Sequence, residues 1–195
     1  MQPTRNGFCF LDDKYFTDFP DSKLMSNHGK GHGRPCFFCM HDKQNPDIMW
    51  LIPVSTKVQK YSAIMQKKID RRGACHTIVI GKAAGKQSAF LIQNMCPVTQ
   101  NYIQNQYILN GKPVRISEKL AKEIRVKAQR SMRIYQTDKT IIFPDIDKIK
   151  AALIAQLAKE KQQAHTQAKA PNQTPEKRRP VMRKKDMGKN HQRGR

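Results

Sequence analysis

Carboxylates are scarce in this 195-residue sequence: 15 Asp and Glu stand against 37 Lys and Arg, a formal net charge of +22 at pH 7. That balance argues against a basic partner and for a polyanion, nucleic acid before an anionic membrane. Long apolar runs are missing too. None reaches the roughly 18 residues of a spanning helix, and no basic helix carries an aromatic face. The opening MQPTRNGFCFLDDKYF lacks the apolar core of a secretory signal, so the expected location is cytoplasmic. Cys9, Cys36, Cys39, Cys75 and Cys96 are odd in number and unevenly spaced, which argues against a disulfide framework and for free thiols.

Catalytic hallmarks are sparse as well. No glycine-rich nucleotide loop follows a strand, no base–carboxylate pair stands out, and the acids do not cluster as a two-metal nuclease requires. The series His28, His32, Cys36, Cys39 and His41 invites a zinc reading, but on a regular strand Cys36 and Cys39 face opposite ways. No cofactor or metal is expected.

Aromatics vanish after Phe143, and residues 159–195, with twelve Lys and Arg against three Asp and Glu, cannot bury enough to fold. Residues 1–158 therefore read as one domain and residues 159–195 as a disordered basic tail, in which Lys177–Arg179 and Arg183–Lys185 could grip RNA nonspecifically. In chain order, Phe8–Leu11 reads as a strand and Ser22–Arg34, with Gly29, Gly31 and Gly33, as a mobile cationic loop. Lys30, His32 and Arg34 could close there on a phosphate. Cys36–His41 and Met49–Val54 form a hairpin across Asp42–Asp47. Lys57–Arg72 carries a helical stripe at Val58, Tyr61, Ile64, Met65 and Ile69, with Lys60, Lys67, Lys68, Arg71 and Arg72 on the solvent side as a phosphate track. Strands follow at His76–Gly81, Ala89–Val98 and Gln106–Leu109, the last turning at Asn110-Gly111. Ser117 caps one helix and Asp145 opens another. The expected fold class is α+β, an antiparallel sheet flanked by helices.

The most informative stretch is Met49–Tyr61, MWLIPVSTKVQKY. Its apolar run reads as a buried strand that stops pairing at Pro53. Ser55 and Thr56 follow, then Lys57, Lys60 and Tyr61. Hydroxyl, cation and phenol so grouped suit a phosphodiester. RNA supplies its own nucleophile, the 2′-hydroxyl, so cleavage needs only deprotonation, in-line positioning and charge stabilisation. The plainer reading is that Ser55 and Thr56 cap the following helix.

The segments KYFTDF, GRPCFFCM, MWLIPVSTKVQKY, AFLIQNMCPVTQNYI and IIFPDIDKI, in this order between Gly7 and Leu157, resemble the toxins of type III toxin–antitoxin systems, the ToxN/AbiQ superfamily, most closely its CptN-like branch. The most specific parts are Pro53-Val54-Ser55-Thr56 and Phe90–Thr99. The resemblance implies a compact, strongly twisted antiparallel sheet related to the Kid/MazF-like barrel, and an endoribonuclease that needs no metal. It implies as partners a target messenger RNA and an antitoxin RNA, which the toxin processes from a repeat transcript. The antitoxin folds into pseudoknots and closes an oligomeric ribonucleoprotein. By position, Thr56 falls where the family's catalytic serine stands and Ser55 beside it. The family's lysine just after that serine has two candidates, Lys57 one residue on and Lys60 four residues on, and its basic residue before the second strand falls on Arg34. The family's nearby tyrosine has no counterpart, Lys30 or His32 being nearest. A non-catalytic RNA- or DNA-binding protein and a ribosome-associated basic protein are the alternatives.

Overall fold

The computed structural model describes residues 3–29 and 32–168, without the side chains of His32 and of residues 164–168. Its elements are β1 (Phe8–Leu11), α1 (Asp13–Asp18), β2 (His28–Gly29), β3 (His32–Gly33), β4 (Cys36–His41), β5 (Ile48–Ser55), α2 (Val58–Arg72), β6 (Ile78–Ala83) and β7 (Lys86–Leu91). There follow β8 (Cys96–Thr99), β9 (Ile103–Gln106), β10 (Ile108–Leu109), β11 (Lys112–Pro113), α3 (Glu118–Tyr135) and α4 (Ile146–Ala168). The fold is α+β, as the sequence implies. One antiparallel sheet runs β6-β7-β5-β4-β1-β9, with β8 as a second partner of β5, and helices flank it.

Strand β5 is central because all eight of its residues are buried, a run that only pairing on both edges and packing on both faces can satisfy. One edge pairs with β4 from Met49 to Pro53, with one irregularity between Phe38 and Met40. The other pairs with β8 from Ile48 to Leu51 and with β7 at Val54 and Ser55. Pro53 does not end the strand, as its sequence position suggests. It lies at the handover between the two partners, where its missing N–H costs no ladder bond.

Alternation along the strands divides the core. Phe8, Phe37, Trp50, Ile52, Val54 and Phe90 pack beneath Ala121, Ile124 and Ala128 of α3. Leu11, Ile48, Leu51 and Val98 pack with Tyr15 of α1 and with Ile149 and Leu153 of α4. Each fully buried Leu or Ile contributes roughly 1.5–3 kcal/mol. Cys36 and Cys39 fall on opposite faces, in different clusters. Burial pushes the thiols of Cys9, Cys39 and Cys96 up to about 12.

Two further boundaries differ from expectation. The segment Ala89–Val98 is not one strand: a 3₁₀ turn at Ile92–Asn94 separates β7 from β8 and lets them meet different halves of β5. Helix α4 runs on to Ala168, past the expected boundary at Lys159. Ala, Gln, Lys and Glu there are strong helix formers, and the turn is tied back by Asn101 donating to Glu160 at 2.7 Å and by Lys161 pairing with Asp47 at 2.9 Å. The basic triplets of the tail lie outside the described residues.

Candidate functional site

At the end of β5 the chain leaves the core within one residue. Ser55 is 6% exposed and paired with Ala89 of β7, whereas Thr56 is exposed. The Ser55 Oγ accepts from the backbone N–H of Lys57 at 3.2 Å, and the N–H of Val58 donates to the Thr56 carbonyl at 2.8 Å. Helix α2 then starts with Lys57 at its N-cap and no side-chain cap bond. Capping therefore does not account for Thr56, whose hydroxyl has no hydrogen-bond partner among the described residues. Thr56, Lys57, Gln59 and Lys60 line a shallow concavity of about 350 Å³ over the helix N-terminus, where unpaired N–H groups and two lysines share one sign of charge.

Arg34 completes this corner. Its backbone N–H donates to the Asn27 carbonyl at 2.6 Å, its Nε to the Ser26 carbonyl at 2.8 Å and its Nη1 to the Val54 carbonyl at 3.2 Å. The guanidinium is thereby fixed to the backbone one residue before Ser55. Its Nη2 makes no hydrogen bond among the described residues, so a guanidinium with an unused donor is tied to the strand just ahead of the hydroxyl pair, although it is not among the residues that line the Thr56 concavity.

The supposed mobile loop Ser22–Arg34 is what makes this anchoring work. Asn27 is buried and donates from Nδ2 to the Leu11 carbonyl at 3.0 Å and to Asp13 at 2.7 Å, while His28 Nε2 meets the same Asp13 at 2.8 Å. The hydrogen bonds from Asn27 and His28 hold the Asp13 carboxyl below its usual value. The short β2–β3 pairing closes the loop. Sequence reasoning missed Asn27 because glycine spacing marks a flexible backbone but says nothing of a distant acceptor. Lys30 lies outside the described residues, and for His32 only the backbone, paired with Gly29, is placed.

Along α2 the expected track divides. Lys60, Lys67 and Arg71 recur at a spacing that puts them on one exposed stripe, and Arg72 is exposed as well. Lys68 corrects the expectation: its Nζ turns inward and donates to Thr77 Oγ1 and Gln93 Oε1, both at 2.7 Å. Burial lowers its pKa. Tyr61 is a correction too, since its ring is buried with Ile78, Ala89 and Leu91 rather than offered to a ligand. Both sit on the apolar side of the helix at the 61, 65, 68 spacing, which a tally of cations overlooks.

The sheet order and the flanking helices define an α+β fold that recurs among solved structures. The chain shares it with AbiQ, described as a lactococcal anti-phage endoribonuclease belonging to the type-III toxin-antitoxin system, at a TM-score of 0.58 and 18% identity over 79% of this chain and 98% of AbiQ. No family model and no curated protein matches the sequence.

Proposed function

We propose that the protein is the toxin of a type III toxin–antitoxin system: an endoribonuclease that cuts cellular or phage messenger RNA without a metal ion. The observation that carries this reading is the exposed Thr56 hydroxyl, without a partner among the described residues, at the end of a buried strand, with Lys57 and Lys60 next along the chain and Arg34 anchored to the strand at Val54. The resemblance of AbiQ, an endoribonuclease by its description, supports it. So does the position of Thr56, which on the sequence resemblance falls where the ToxN/AbiQ serine stands; on this reading the chain is of the CptN-like branch.

The chemistry follows from those groups. Thr56 accepts the hydrogen bond of the ribose 2′-hydroxyl and helps its proton to solvent, and the 2′-oxygen attacks the adjacent phosphorus. Arg34 and Lys57 stabilise the charge on the nonbridging oxygens, and Lys60 protonates the departing 5′-oxygen. The P–O5′ bond breaks, leaving a 2′,3′-cyclic phosphate and a 5′-hydroxyl. Ser55, turned to the Lys57 amide, shapes the turn that presents Thr56. Lys67, Arg71 and Arg72 track the RNA backbone away from the cut.

The inhibitor on this reading is a pseudoknotted repeat RNA that occupies the same cationic surface after the toxin has processed it, the two closing into an oligomeric assembly in the cytoplasm. Residues 1–158 carry the activity and the basic tail adds salt-sensitive affinity. Among the described residues no helix is long and apolar enough to cross a membrane. The test is incubation of purified protein with RNA in EDTA. Fragments ending in 2′,3′-cyclic phosphate are expected, and RNA that is bound but intact counts against the proposal.

A further inference from the structure

On the far side of β4 and β1 from the hydroxyl site lies a groove that the cleavage chemistry does not use. It is open, has a volume of about 570 Å³ and is lined by Phe10, Asn105, Gln106, Tyr107 and Ile108. Strand β9 forms its floor as an edge strand, paired on one side only with β1. We infer that this groove is a nucleobase subsite, in which Phe10 and Tyr107 offer the stacking surface and Asn105 reads the edge of one unpaired base flanking the cut.

The aromatic platform is held rigid. The Tyr107 backbone N–H donates to the Phe8 carbonyl at 2.9 Å and its carbonyl accepts from the Val114 N–H at 2.9 Å, so both sides of the residue are fixed. Its ring meets Phe10 edge-on at 5.4 Å and Phe8 at 6.3 Å. Phe8 belongs to the core, but Phe10 and Tyr107 are only half-buried. Beside them the β10–β11 hairpin leaves Ile108 55% and Leu109 46% exposed, apolar surface that water does not favour. Its turn is set by Asn110 and Gly111, both at positive φ (51° and 71°), so the hairpin is a formed wall rather than a loose end.

Charge and chemistry select the occupant. Among the described residues no carboxylate lines the groove, and the exposed Lys112 and Arg115 follow it in the chain, so an anionic ligand meets no repulsion from them. An exposed amide beside aromatic rings is the equipment with which single-stranded RNA is read, by stacking and by hydrogen bonds to base edges. The strand register puts the groove at the same end of the sheet as the cutting corner, since Cys9 pairs with Cys36, Cys36 with Pro53 and Phe10 with Asn105. Gly33, next to Arg34, lies on Phe10 so closely that an added Cβ would meet the ring at 3.0 Å. Three strand spacings separate β5 from β9, roughly 14 Å, a reach of a few nucleotides. The inference rests on the RNA-cleaving reading, and it names the part of the same substrate that sets sequence preference.

The test uses the full chain and non-cleavable 2′-O-methyl oligoribonucleotides carrying 2-aminopurine at successive positions. Quenching is expected at one position, a few nucleotides from the junction cut in unmodified RNA. Phe10→Leu keeps the bulk and removes the π face. It should relieve that quenching and weaken binding roughly tenfold. Asn105→Ala changes an exposed side chain, so it folds, and sequencing of cut ends should show relaxed base preference at that position. Thr56→Ala should abolish cutting and leave the quenching intact. Quenching at every position alike, or preference unchanged in Asn105→Ala, overturns the subsite even if RNA is cut. Concentration-dependent dimers that Ile108→Lys disperses would assign the groove to a second copy and overturn it too. Single-position quenching without any cutting would keep the subsite and reject the nuclease.

Discussion

Arg34 donates from Nη1 to the main-chain carbonyl of Val54 at 3.2 Å, across 20 residues of chain. A cation is thus tied to the backbone of the strand that delivers Ser55 and Thr56. A lysine has no fork with which to hold both the Ser26 and Val54 carbonyls, so Arg34→Lys is expected to behave almost as Arg34→Ala. Both should lower kcat by about 10²–10³, as loss of one positioned donor does, read from initial rates on a labelled RNA. Full activity in Arg34→Lys would show that only charge matters there.

Thr56 is exposed and its hydroxyl carries no structural bond among the described residues, so its removal should separate activity from stability. Thr56→Ala is expected to change the unfolding free energy by less than about 0.5 kcal/mol. It should reduce kcat by about 10²–10⁴ with RNA affinity retained, and Thr56→Ser should restore most of the rate. Urea titration, filter binding and single-turnover kinetics check the three quantities.

Lys67 and Lys68 are neighbours with opposite roles. Lys67→Met should leave Tm unchanged and flatten the salt dependence of RNA binding by about one phosphate contact. Lys68→Met strands the buried Thr77 and Gln93 acceptors and should cost about 1–3 kcal/mol of stability with the salt slope unaltered. A Lys68→Met protein that loses a phosphate contact at full stability would reverse the assignment.

Asp42 locks α4 to the sheet. Its carboxylate takes hydrogen bonds from Trp50 Nε1 at 3.1 Å, from Lys150 Nζ at 2.7 Å and from the backbone N–H groups of Gln44 and Asn45. Burial raises the carboxyl's pKa, but the Lys150, backbone and Trp50 bonds outweigh it and the net direction is down. A folded-state pKa below the unfolded one, about 3.9, stabilises the native state above that pH. That stability is lost as pH falls through the folded value. Acid unfolding followed by Trp50 fluorescence should therefore begin below about pH 4 and shift upward in Asp42→Asn, which is expected to cost about 3–5 kcal/mol by stranding Lys150.

Much of this architecture was legible beforehand, and the failures share a cause. The Ser117 cap and the Asp145 start are local events, and the side-chain oxygens duly accept: the Ser117 hydroxyl Oγ from the Leu120 N–H, the Asp145 carboxylate Oδ1 from the Lys148 N–H. The Asn110-Gly111 turn is equally local. The break between β7 and β8 coincides with the polar pair Gln93-Asn94, but a strand can carry two polar residues, and it is β5, offering each half a different partner, that turns the pair into a break. Tyr61 and Lys68 were misplaced for a related reason, since charge and aromaticity do not say which side of α2 the sheet will cover.

The sequence by itself determined the chain's cationic balance, the helices and turns, and the buried strand that carries a hydroxyl pair to its end. Those follow from composition, capping and periodicity, which act within a few residues. Only the tertiary structure decided that Arg34 is tied to the strand ahead of that pair while Lys68 turns inward, that Thr56 is open while Ser55 is closed, and that Phe10 and Tyr107 wall a groove. Each depends on strand register and on hydrogen bonds between residues far apart in the chain, and such contacts leave no local pattern in the sequence.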